Sequence, residues 1–474
     1  MKKVLPIIFT LIFLIKTKAQ QADLATHNAV NDTLIALFNK QAFREMYPLL
    51  SDNFKSQMTE NELVEFMKKQ LYEPLGRVSE SIYLKKKEGA ELYKWSFDKM
   101  DFEFSLTVIA NKLIDGFTFL PYKEVPKQRV NIAASDNPLK TPLDKSIDSI
   151  ARLYIDKSHT AGLSIGILKD GQVFTFNYGE VDKTTKKMPD SRTYYEIGSI
   201  TKTFTGTLLA QAVLDKKINL EDDIRKYLPE PYPNLEFNGQ PILIKHLANH
   251  TSRLEGFPLD IQSKKDFNVK NPYKYYSAEM VLAYLHTVKL DTAPGFKFTY
   301  SNYATGLMGI ILEKTYKMPY ADLVKKFITN PLSMAATKID VTPKDSLIFA
   351  KPHKANGRLG DYWDFTGLVA AGAIRSNVTD MLQYAGANMR QSNDASKLAQ
   401  QATFKENTNK STALYWVLST LKTGQSFIWH NGMTGGFSSF CGFSKEKNIA
   451  VVLLSNCADD VTQKGFDMLK AIEK

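Results

Sequence analysis

The chain has 474 residues, a formal net charge of +11 and a hydrophobic content of 43%. At roughly 150 residues per domain this length allows two or three domains, and the hydrophobic content excludes a chain that is disordered throughout. The basic residues are scattered, with no basic stripe interleaved with aromatic side chains, so the sequence argues against a nucleic-acid-binding protein.

The first residues have the pattern of a secretory signal. Lys2 and Lys3 precede an apolar run over 4–15, and the residues just before Gln20 suit a cleavage site. The run is shorter than the ~20 residues that cross a bilayer, and no later segment reaches ~18 uninterrupted apolar residues. We therefore expect a signal peptide over 1–19 and an exported protein, periplasmic or secreted, that is not transmembrane after cleavage. An uncleaved anchor is the alternative.

Residues 20–120 have the pattern of a small α+β domain. Apolar residues at helical spacing come first, and stretches that alternate as strands do come second. The strands are predicted over 79–84, 92–97, 102–109 and 112–120. Helices followed by an antiparallel sheet resemble the nuclear-transport-factor-like domains. Since no convergent set of acids, bases or metal ligands stands out, we predict a packing or recognition module rather than a second active site.

A second domain is predicted over 143–474, after a linker over 121–142 that holds four prolines among mostly polar residues. Its strands are predicted over 162–168, 173–178, 427–430, 437–443 and 449–454, and a closing helix is predicted near 461–472. Asp170-Gly171 has the composition of a hairpin turn. An antiparallel sheet built from both ends of the chain, with helices between, is an α+β fold.

The two cysteines are predicted to be structural. In the hairpin formed by the last two strands, Cys441 faces a residue near 452. Cys457 then lies several residues beyond the reach of a disulfide with Cys441.

A candidate nucleophile stands at Ser199, three residues before Lys202 at the start of a predicted helix. Residues three apart share one face of a helix, so the Lys202 amine can approach the Ser199 hydroxyl. A serine hydroxyl is a poor nucleophile without an adjacent base, and a lysine can be that base only if its pKa falls. Because the spacing is common by chance, the pair by itself is a weak signal.

Further motifs follow along the chain. Tyr300-Ser301-Asn302 forms a Y-x-N motif after a Pro-Gly turn, and His430-Asn431-Gly432 comes near the end. Two supporting stretches cover 246–252 and 371–376. Together with the Ser-Lys pair, these motifs resemble the signature of the serine β-lactamase and penicillin-binding-protein family. The branch they resemble most contains class C β-lactamases with their D,D-peptidase and esterase relatives.

The resemblance covers about residues 143–474 and implies a β-lactamase-like antiparallel sheet flanked by helices, beside a helical region. It also implies a serine hydrolase that needs no metal or organic cofactor. Ser199 would attack the carbonyl and become acylated, while Lys202 and Tyr300 would share the general-base work. Tyr300 would also serve the leaving group. A phenol with an ordinary pKa of about 10 needs a neighbouring cation to act as a base, and Lys202 would be that cation.

The same resemblance implies substrate-binding positions. Asn302 would bind the substrate amide and orient Lys202, and the strand from His430 to Gly432 would line the cleft. The backbone N–H groups of Ser199 and Met433 would form the oxyanion hole.

Two positions depart from the family pattern. His430 stands where β-lactamases commonly carry lysine, and histidine carries full charge only below a pKa of about 6.5. Met433 replaces the small hydroxyl residue that often follows the motif, which narrows the oxyanion side of the cleft. The histidine counts against efficient β-lactamase activity.

Two other motifs are better explained as structural features than as a catalytic or a metal-binding site. Ser164 lies in a G-x-S-x-G pattern, but the apolar residues after it run straight into a hairpin, whereas a nucleophile elbow turns sharply into a helix. His246 and His250 have a zinc spacing, yet Leu247 stands where a zinc protease has its glutamate. We therefore predict Ser164 within a strand, structural roles for both histidines and no metal site.

Aromatic residues around the motifs are predicted mainly as core, since single aromatic residues are more often core than ligand platforms. Walls of the cleft are the alternative for the following residues: Tyr275, Tyr276, Tyr362, Trp363, Phe365 and Trp416.

Three functions are compatible with these motifs. The first is acyl-enzyme hydrolysis of amides or esters, with a small acyl compound or peptide as substrate, peptidoglycan-derived peptides included. The second is β-lactam hydrolysis, and the third is a non-catalytic module that binds peptidoglycan or a partner. The Ser-Lys-Tyr set favours catalysis over binding, and His430 favours the first function over the second.

Overall fold

The computed structural model describes residues 22–98, 100–122, 132–342, 345–421 and 424–472. The chain divides into two compact units, Met1–Val125 and Pro126–Lys474. The predicted signal peptide and the middle of the predicted linker lie outside the described residues. Within the described ranges, no helix combines the length and the apolar character needed to cross a bilayer.

In the first unit, short helices precede an antiparallel sheet. The helices are α1 (Leu24–Asn39), α2 (Asp52–Lys55), α3 (Glu60–Glu65) and α4 (Glu73–Leu75), with a 3₁₀ segment at Phe43–Leu49 and a π-helical segment at Phe66–Tyr72. The strands are β1 (Val78–Lys87), β2 (Ala90–Phe97), β3 (Asp101–Val108) and β4 (Ile114–Pro121), paired in chain order. Each strand coincides with one of the predicted stretches, so the α+β prediction for this segment is confirmed.

Aromatic side chains fill the inside of this first unit. Trp95 is buried, and its ring centre lies 4.3 Å from that of Phe104 and 5.3 Å from that of Phe119. From α1, Phe38 packs on the same tryptophan, whose indole N–H donates to Asn31 at 2.8 Å. The space between helix and sheet is therefore occupied by packed side chains, which suits a packing or recognition module. The likeness to nuclear-transport-factor domains stays a prediction.

The second unit is built on an eight-stranded antiparallel sheet with the order β11-β12-β13-β14-β15-β16-β5-β6. Its strands are β5 (Gly162–Lys169), β6 (Gln172–Gly179), β11 (Phe404–Asn407), β12 (Lys410–Thr412), β13 (Val417–Thr420), β14 (Ser426–Met433), β15 (Ser438–Ser444) and β16 (Ile449–Ser455). Two short pairs stand apart: β7 (Tyr195–Glu196) with β10 (Arg375–Ser376), and β8 (Glu236–Phe237) with β9 (Gln240–Pro241). Strands from both chain ends thus meet in one sheet, which confirms the predicted architecture.

Helices cover both faces of this sheet and form the region between its two halves. They are α5 (Pro142–Ile155), α6 (Thr201–Leu214), α7 (Ile244–Ala248), α8 (Ala278–Leu285), α9 (Asn302–Tyr316), α10 (Tyr320–Val324), α11 (Val369–Gly372), α12 (Val378–Arg390), α13 (Asp394–Ala399) and α14 (Thr462–Ile472). Alternation along β16 shows the two layers. Val451 and Leu453 pack with α5 and α14, whereas Val452 and Leu454 pack with α12 and the helical region.

Local predictions in this unit hold. Asp170 and Gly171 both have positive φ, at 51° and 82°, as the predicted hairpin turn requires. Cys441 pairs across the sheet with Val452, and Cys441 and Cys457 are both free and buried. The structural reading of both cysteines is thus confirmed.

Two features of the sheet lie outside the sequence prediction. Strands β11 to β13 extend it, but they are short and largely polar, so their alternation is too weak to read. At the opposite edge, Ser135 pairs with Tyr178, and Asp136 accepts a 2.6 Å hydrogen bond from Asn177 N. The last part of the predicted linker therefore lies on the edge strand of the sheet.

Candidate active site

The candidate nucleophile lies in a single 3₁₀ turn, Gly198–Ile200, directly before α6. Gly198 has a φ of +51°, which favours glycine, and a Cβ at this position would lie 2.8 Å from Met433 N. Ser199 is half-buried, and Lys202, one turn later, is completely buried. The turn thus leaves the serine hydroxyl partly accessible and buries the lysine amine behind it.

Three predicted site residues converge here. Lys202 Nζ lies 3.0 Å from Ser199 Oγ and donates to the Ala371 carbonyl at 2.7 Å. The Tyr300 hydroxyl donates to Ser199 Oγ at 2.7 Å, and Lys202 Nζ lies 4.8 Å from the centre of the Tyr300 ring. The structure therefore brings the amine and the phenol, which the sequence separates by almost a hundred residues, onto one hydroxyl oxygen. We call Ser199, Lys202 and Tyr300 the trio.

Burial sets the protonation states of the trio. Desolvation lowers the pKa of Lys202 well below its ordinary value of 10.5. Desolvation also raises the pKa of Tyr300 above its ordinary value of 10.0, although the residue keeps 39% of its surface exposed. A neutral amine holds a lone pair that can accept the Ser199 proton, whereas a protonated phenol can only donate one. Burial thus shifts both groups toward their neutral forms, so the structure does not support a charged Lys202 that lowers the pKa of Tyr300.

Strand β14 packs closely against the turn that carries Ser199, and Gly432 is the residue at the contact. A Cβ on Gly432 would lie 2.0 Å from the Ile197 carbonyl oxygen and 2.9 Å from Ser199 N, so only glycine fits. The same approach brings the backbone of Met433 beside Gly198. The amides of Ser199 and Met433 are therefore adjacent, where an oxyanion hole was predicted, and the Met433 side chain is 47% exposed.

Asn302 contacts a residue that the sequence analysis did not single out. It is the first residue of α9, and its Nδ2 donates to the Tyr273 hydroxyl at 3.2 Å. Its Oδ1 is buried without a hydrogen-bond partner among the described residues. The Lys202 amine, by contrast, bonds to Ser199 and Ala371. The expected contact by which Asn302 orients Lys202 is thus absent from the described residues.

The side chains of His430 and Asn431 do not both lie where the resemblance implies substrate binding. His430 is 4% exposed, and its Nδ1 lies 2.6 Å from the Asn431 carbonyl oxygen, which makes Nδ1 the donor. Desolvation lowers its pKa to about 3, so the ring is neutral near pH 7. The side chain of Asn431 faces the other side of β14 and donates to Thr462 of α14 at 2.9 Å. Strand alternation therefore removes the Asn431 side chain from the cleft wall.

The supporting stretch at 371–376 holds the nucleophile turn in place. Besides the Ala371 carbonyl that accepts from the lysine, Ile374 O accepts from Ile197 N at 3.1 Å, and Ile374 N donates to Thr201 Oγ1 at 3.2 Å. Strand β10 then pairs with β7 just before the turn. Hydrogen bonds from this stretch thus hold the residues on both sides of Ser199 in place.

The second supporting stretch places His250 behind the phenol. His250 has a φ of 60°, its Nδ1 accepts from Ser301 N at 3.2 Å, and its ring centre lies 4.6 Å from that of Tyr300. An accepting Nδ1 assigns the ring proton to Nε2, which is buried without a partner among the described residues. His250 thus fixes the backbone and ring of the Y-x-N motif, a structural role in agreement with the prediction.

The comparisons with known proteins agree with this geometry. Residues 147–468 match the family model described as Beta-lactamase. The chain belongs to the Beta-lactamase family. Membership in this family makes it a serine hydrolase in the general sense.

Individual relatives are more distant. The chain is 27% identical over 373 residues to a β-lactamase of Providencia stuartii, which covers 70% of this chain and 92% of the relative. It is 26% identical over 336 residues to protein flp of Staphylococcus aureus strain N315, covering 68% of this chain and 64% of flp. A β-lactamase/D-alanine carboxypeptidase from Pseudomonas syringae superimposes with a TM-score of 0.60 at 22% identity, over 70% of this chain and 98% of that one. The last likeness concerns the fold alone.

A buried carboxylate lies three residues before Ser199. Glu196 is 2% exposed, and its Oε1 accepts from Trp363 N at 2.8 Å and lies 3.9 Å from Arg375 Nη2. Desolvation raises its pKa to about 7, and Arg375 opposes that rise. No sequence signal marks this residue, because its partners come from a distant stretch.

The two rejected motifs have the structural roles that were predicted. Ser164 is fully buried within β5 and donates to Asn177 Oδ1 at 2.8 Å. His246 Nδ1 accepts from Leu243 N at 3.1 Å. Over the part of the chain that the structure describes, no three His, Cys, Asp or Glu residues are grouped to hold a metal.

The aromatic residues divide between core and cleft. Tyr276 and Trp416 are buried in the core, as predicted. Trp363 and Phe365 are half-buried beside Tyr273, which is the residue that contacts Asn302. Trp416 stands in an apolar stretch, whereas Tyr276, Trp363 and Phe365 have polar neighbours, so sequence context does not separate the buried aromatic residues from the half-buried ones.

Proposed function

We propose that this protein hydrolyses amide or ester substrates through an acyl-enzyme on Ser199, in the manner of D,D-peptidases and esterases. One observation carries the proposal: Ser199 Oγ lies 3.0 Å from a buried lysine amine and 2.7 Å from a phenol. A serine needs an adjacent base to be nucleophilic, and a desolvated lysine is such a base.

Acylation would use every member of the trio. As Ser199 Oγ bonds to the substrate carbonyl carbon, its proton passes to the neutral Lys202 amine, and the carbonyl oxygen becomes an oxyanion. The amides of Ser199 and Met433 are placed to donate to that oxyanion. When the carbon–nitrogen or carbon–oxygen bond breaks, the protonated Tyr300 hydroxyl supplies the leaving group with its proton, and Lys202 returns a proton to Tyr300.

Deacylation would reverse the same steps with water in place of the leaving group. Water attacks the acyl carbon, gives its proton to the base, and the bond to Ser199 Oγ breaks as the oxygen regains a proton. The acid product then leaves, and no residue outside the trio is required for the proton balance.

Among the substrate classes, His430 favours peptidase- or esterase-like action over β-lactam hydrolysis. Its ring is neutral near pH 7, because its pKa is about 3. It therefore offers no positive charge to the carboxylate that β-lactams carry beside the reactive amide. A β-lactamase remains the second candidate, supported by the family relatives that bear that name. A non-catalytic binding module is the third, and an intact trio speaks against it.

The signal pattern supports a proposed place for this reaction outside the cytoplasm, in the periplasm or secreted medium. There the substrate would be a small acyl compound or peptide, peptidoglycan-derived peptides among them. The absence of a basic, aromatic-rich stripe in the sequence speaks against a nucleic acid partner.

Covalent labelling tests the enzyme proposal. The full-length mature protein is treated with a fluorophosphonate and, separately, with benzylpenicillin, and the modified peptide is identified by mass spectrometry. We expect one adduct, on Ser199, which disappears in Ser199→Ala. Ser164→Ala, which removes the rival serine, serves as the control and keeps the adduct. The absence of any Ser199 adduct with both reagents, or undiminished turnover by Ser199→Ala, contradicts the proposal.

Turnover then separates the substrate classes. A D-alanyl peptide, a short-chain ester and a chromogenic cephalosporin are compared by kcat/KM on the same preparation. Peptidase- or esterase-like action predicts turnover of the first or second substrate and slow release of the cephalosporin acyl group. Rapid, repeated cephalosporin hydrolysis would instead support the β-lactamase alternative.

A further inference from the structure

Three aromatic residues from two loops form a cluster that we call the aromatic wall: Tyr273, Trp363 and Phe365. Tyr273 stacks on Phe365 with ring centres 4.9 Å apart and planes inclined by 13°. Trp363 meets Tyr273 edge-on at 5.5 Å and Phe365 at 6.3 Å. All three residues are half-buried, so part of each remains accessible.

The aromatic wall is attached to the site on three sides. Its Tyr273 hydroxyl accepts from Asn302, two residues after Tyr300. A Cβ on Gly372, next to the Ala371 carbonyl that holds Lys202, would lie 2.8 Å from the Phe365 ring.

On the third side, Trp363 joins the wall to the strands around the serine. Its backbone N–H donates to Glu196 at 2.8 Å. A Cβ on Gly435, two residues after Met433, would lie 2.5 Å from the indole nitrogen. The wall therefore touches neighbours of the phenol, the amine and the proposed oxyanion hole, which places it beside the residues around Ser199.

The charges around the wall are already paired. Arg375 donates to the Trp363 carbonyl and lies 3.3 Å from Asp364, and Lys274 lies 3.8 Å from the same carboxylate. On the β14 side, His430 is buried and neutral, and Lys410 pairs with Glu406 at 3.0 Å. Among the described residues, the charged groups that contact the wall are thus paired with one another. An aromatic surface of this kind binds flat, apolar and uncharged groups better than carboxylates.

From this arrangement we infer that the aromatic wall selects the substrate, and that the substrate is a neutral ester or amide carrying a flat apolar group near the reacting carbonyl. The inference rests on the proposed function, since it concerns what Ser199 acylates. The wall residues act as specificity determinants, and Ser199, Lys202 and Tyr300 keep their chemical roles.

Labelling kinetics with matched reagents test this inference on the full-length mature protein. Ethyl phosphonofluoridates carrying a benzyl, a propyl or a 2-carboxyethyl group react in one step: the Ser199 Oγ–phosphorus bond forms and fluoride leaves. We expect the benzyl reagent to label Ser199 about fivefold faster than the propyl reagent does. The carboxyethyl reagent should label it about fivefold more slowly than the propyl reagent does. In Trp363→Leu and Phe365→Leu, the benzyl-to-propyl ratio should fall close to one.

Two control variants separate the wall from its surroundings. Tyr275→Leu removes a nearby aromatic side chain that is 50% exposed and outside the wall, and it should keep the wild-type ratio. Tyr273→Phe keeps the ring but loses the bond to Asn302, and it should also keep the ratio even if both rates change.

The outcomes are distinct. A wild-type ratio near one, or an unchanged ratio in both wall variants, overturns the aromatic preference. Labelling by the carboxyethyl reagent as fast as by the propyl reagent overturns the preference for neutral substrates. Failure of all three reagents to label Ser199 would instead refute the proposed function itself.

Discussion

Replacing Gly432 by alanine should separate the nucleophile turn from strand β14. In the structure the added Cβ would lie 2.0 Å from Ile197 O, 2.6 Å from Ser439 Oγ and 2.9 Å from Ser199 N. An unstrained carbon–oxygen contact needs more than 3 Å, so the two segments must move apart by about 1 Å. Serine and backbone donors misplaced by about 1 Å lose on the order of 100-fold in rate.

The assay is the second-order rate of Ser199 labelling by a fluorophosphonate, with thermal melting measured in parallel. We expect Gly432→Ala to label at least about 100-fold more slowly. Overpacking should also lower the free energy of unfolding by about 1–3 kcal/mol.

Gly116→Ala is the matched control, because a Cβ there has no atom within 4 Å. It should label at the wild-type rate. A folded Gly432→Ala protein that labels within threefold of wild type would refute the reasoning, since the close approach would then be irrelevant to the chemistry.

Three more predictions follow from the buried titratable groups. Lys202→Met should slow labelling by about 10³-fold. Because burial lowers the folded pKa of Lys202, the stability of the Lys202→Met variant relative to wild type, measured by urea unfolding, should decline as pH rises toward 10.5. A stability difference that stays constant with pH would contradict the lowered pKa. Glu196 has a folded pKa of about 7 against 4.5 unfolded, so its contribution to stability falls as pH rises through that window. Glu196→Gln should therefore gain about 1–3 kcal/mol over wild type between pH 4.5 and 8, and equal pH profiles would argue against a buried acid. His430 has a pKa of about 3, so its ring should stay neutral when the pH is lowered from 7.5 to 5.5. The kcat/KM of a carboxylate-bearing ester divided by that of a neutral ester should therefore change by less than twofold. A tenfold rise in this ratio would show that the ring becomes charged.

Periodicity and local spacing were enough to predict most of the fold. The fully apolar run of β16 and the alternation of β3 depend only on which faces are buried, and that information is local. Strands β11 to β13 were missed because their short, largely polar stretches carry no such pattern, and their place is set by pairing at the edge of the sheet.

The candidate site likewise combines features that the sequence predicts with features that only the tertiary structure decides. The sequence by itself determined that Ser199 and Lys202 share a helix face and that Tyr300 and Gly432 belong to the same set of motifs, because motif spacing and order are properties of the chain. Only the tertiary structure decided which of these side chains reach one another. It turned Asn431 away from the cleft and bonded Asn302 to Tyr273.

Protonation and selectivity also come from the tertiary structure. Burial lowers the pKa of Lys202, raises that of Tyr300 and leaves His430 uncharged, and burial depends on residues far away in the chain. Trp363 likewise becomes part of a cleft wall only through contacts with Gly435 and Tyr273. The physical reason is that desolvation and contact are properties of an assembled environment, and no residue's own sequence neighbours specify that environment.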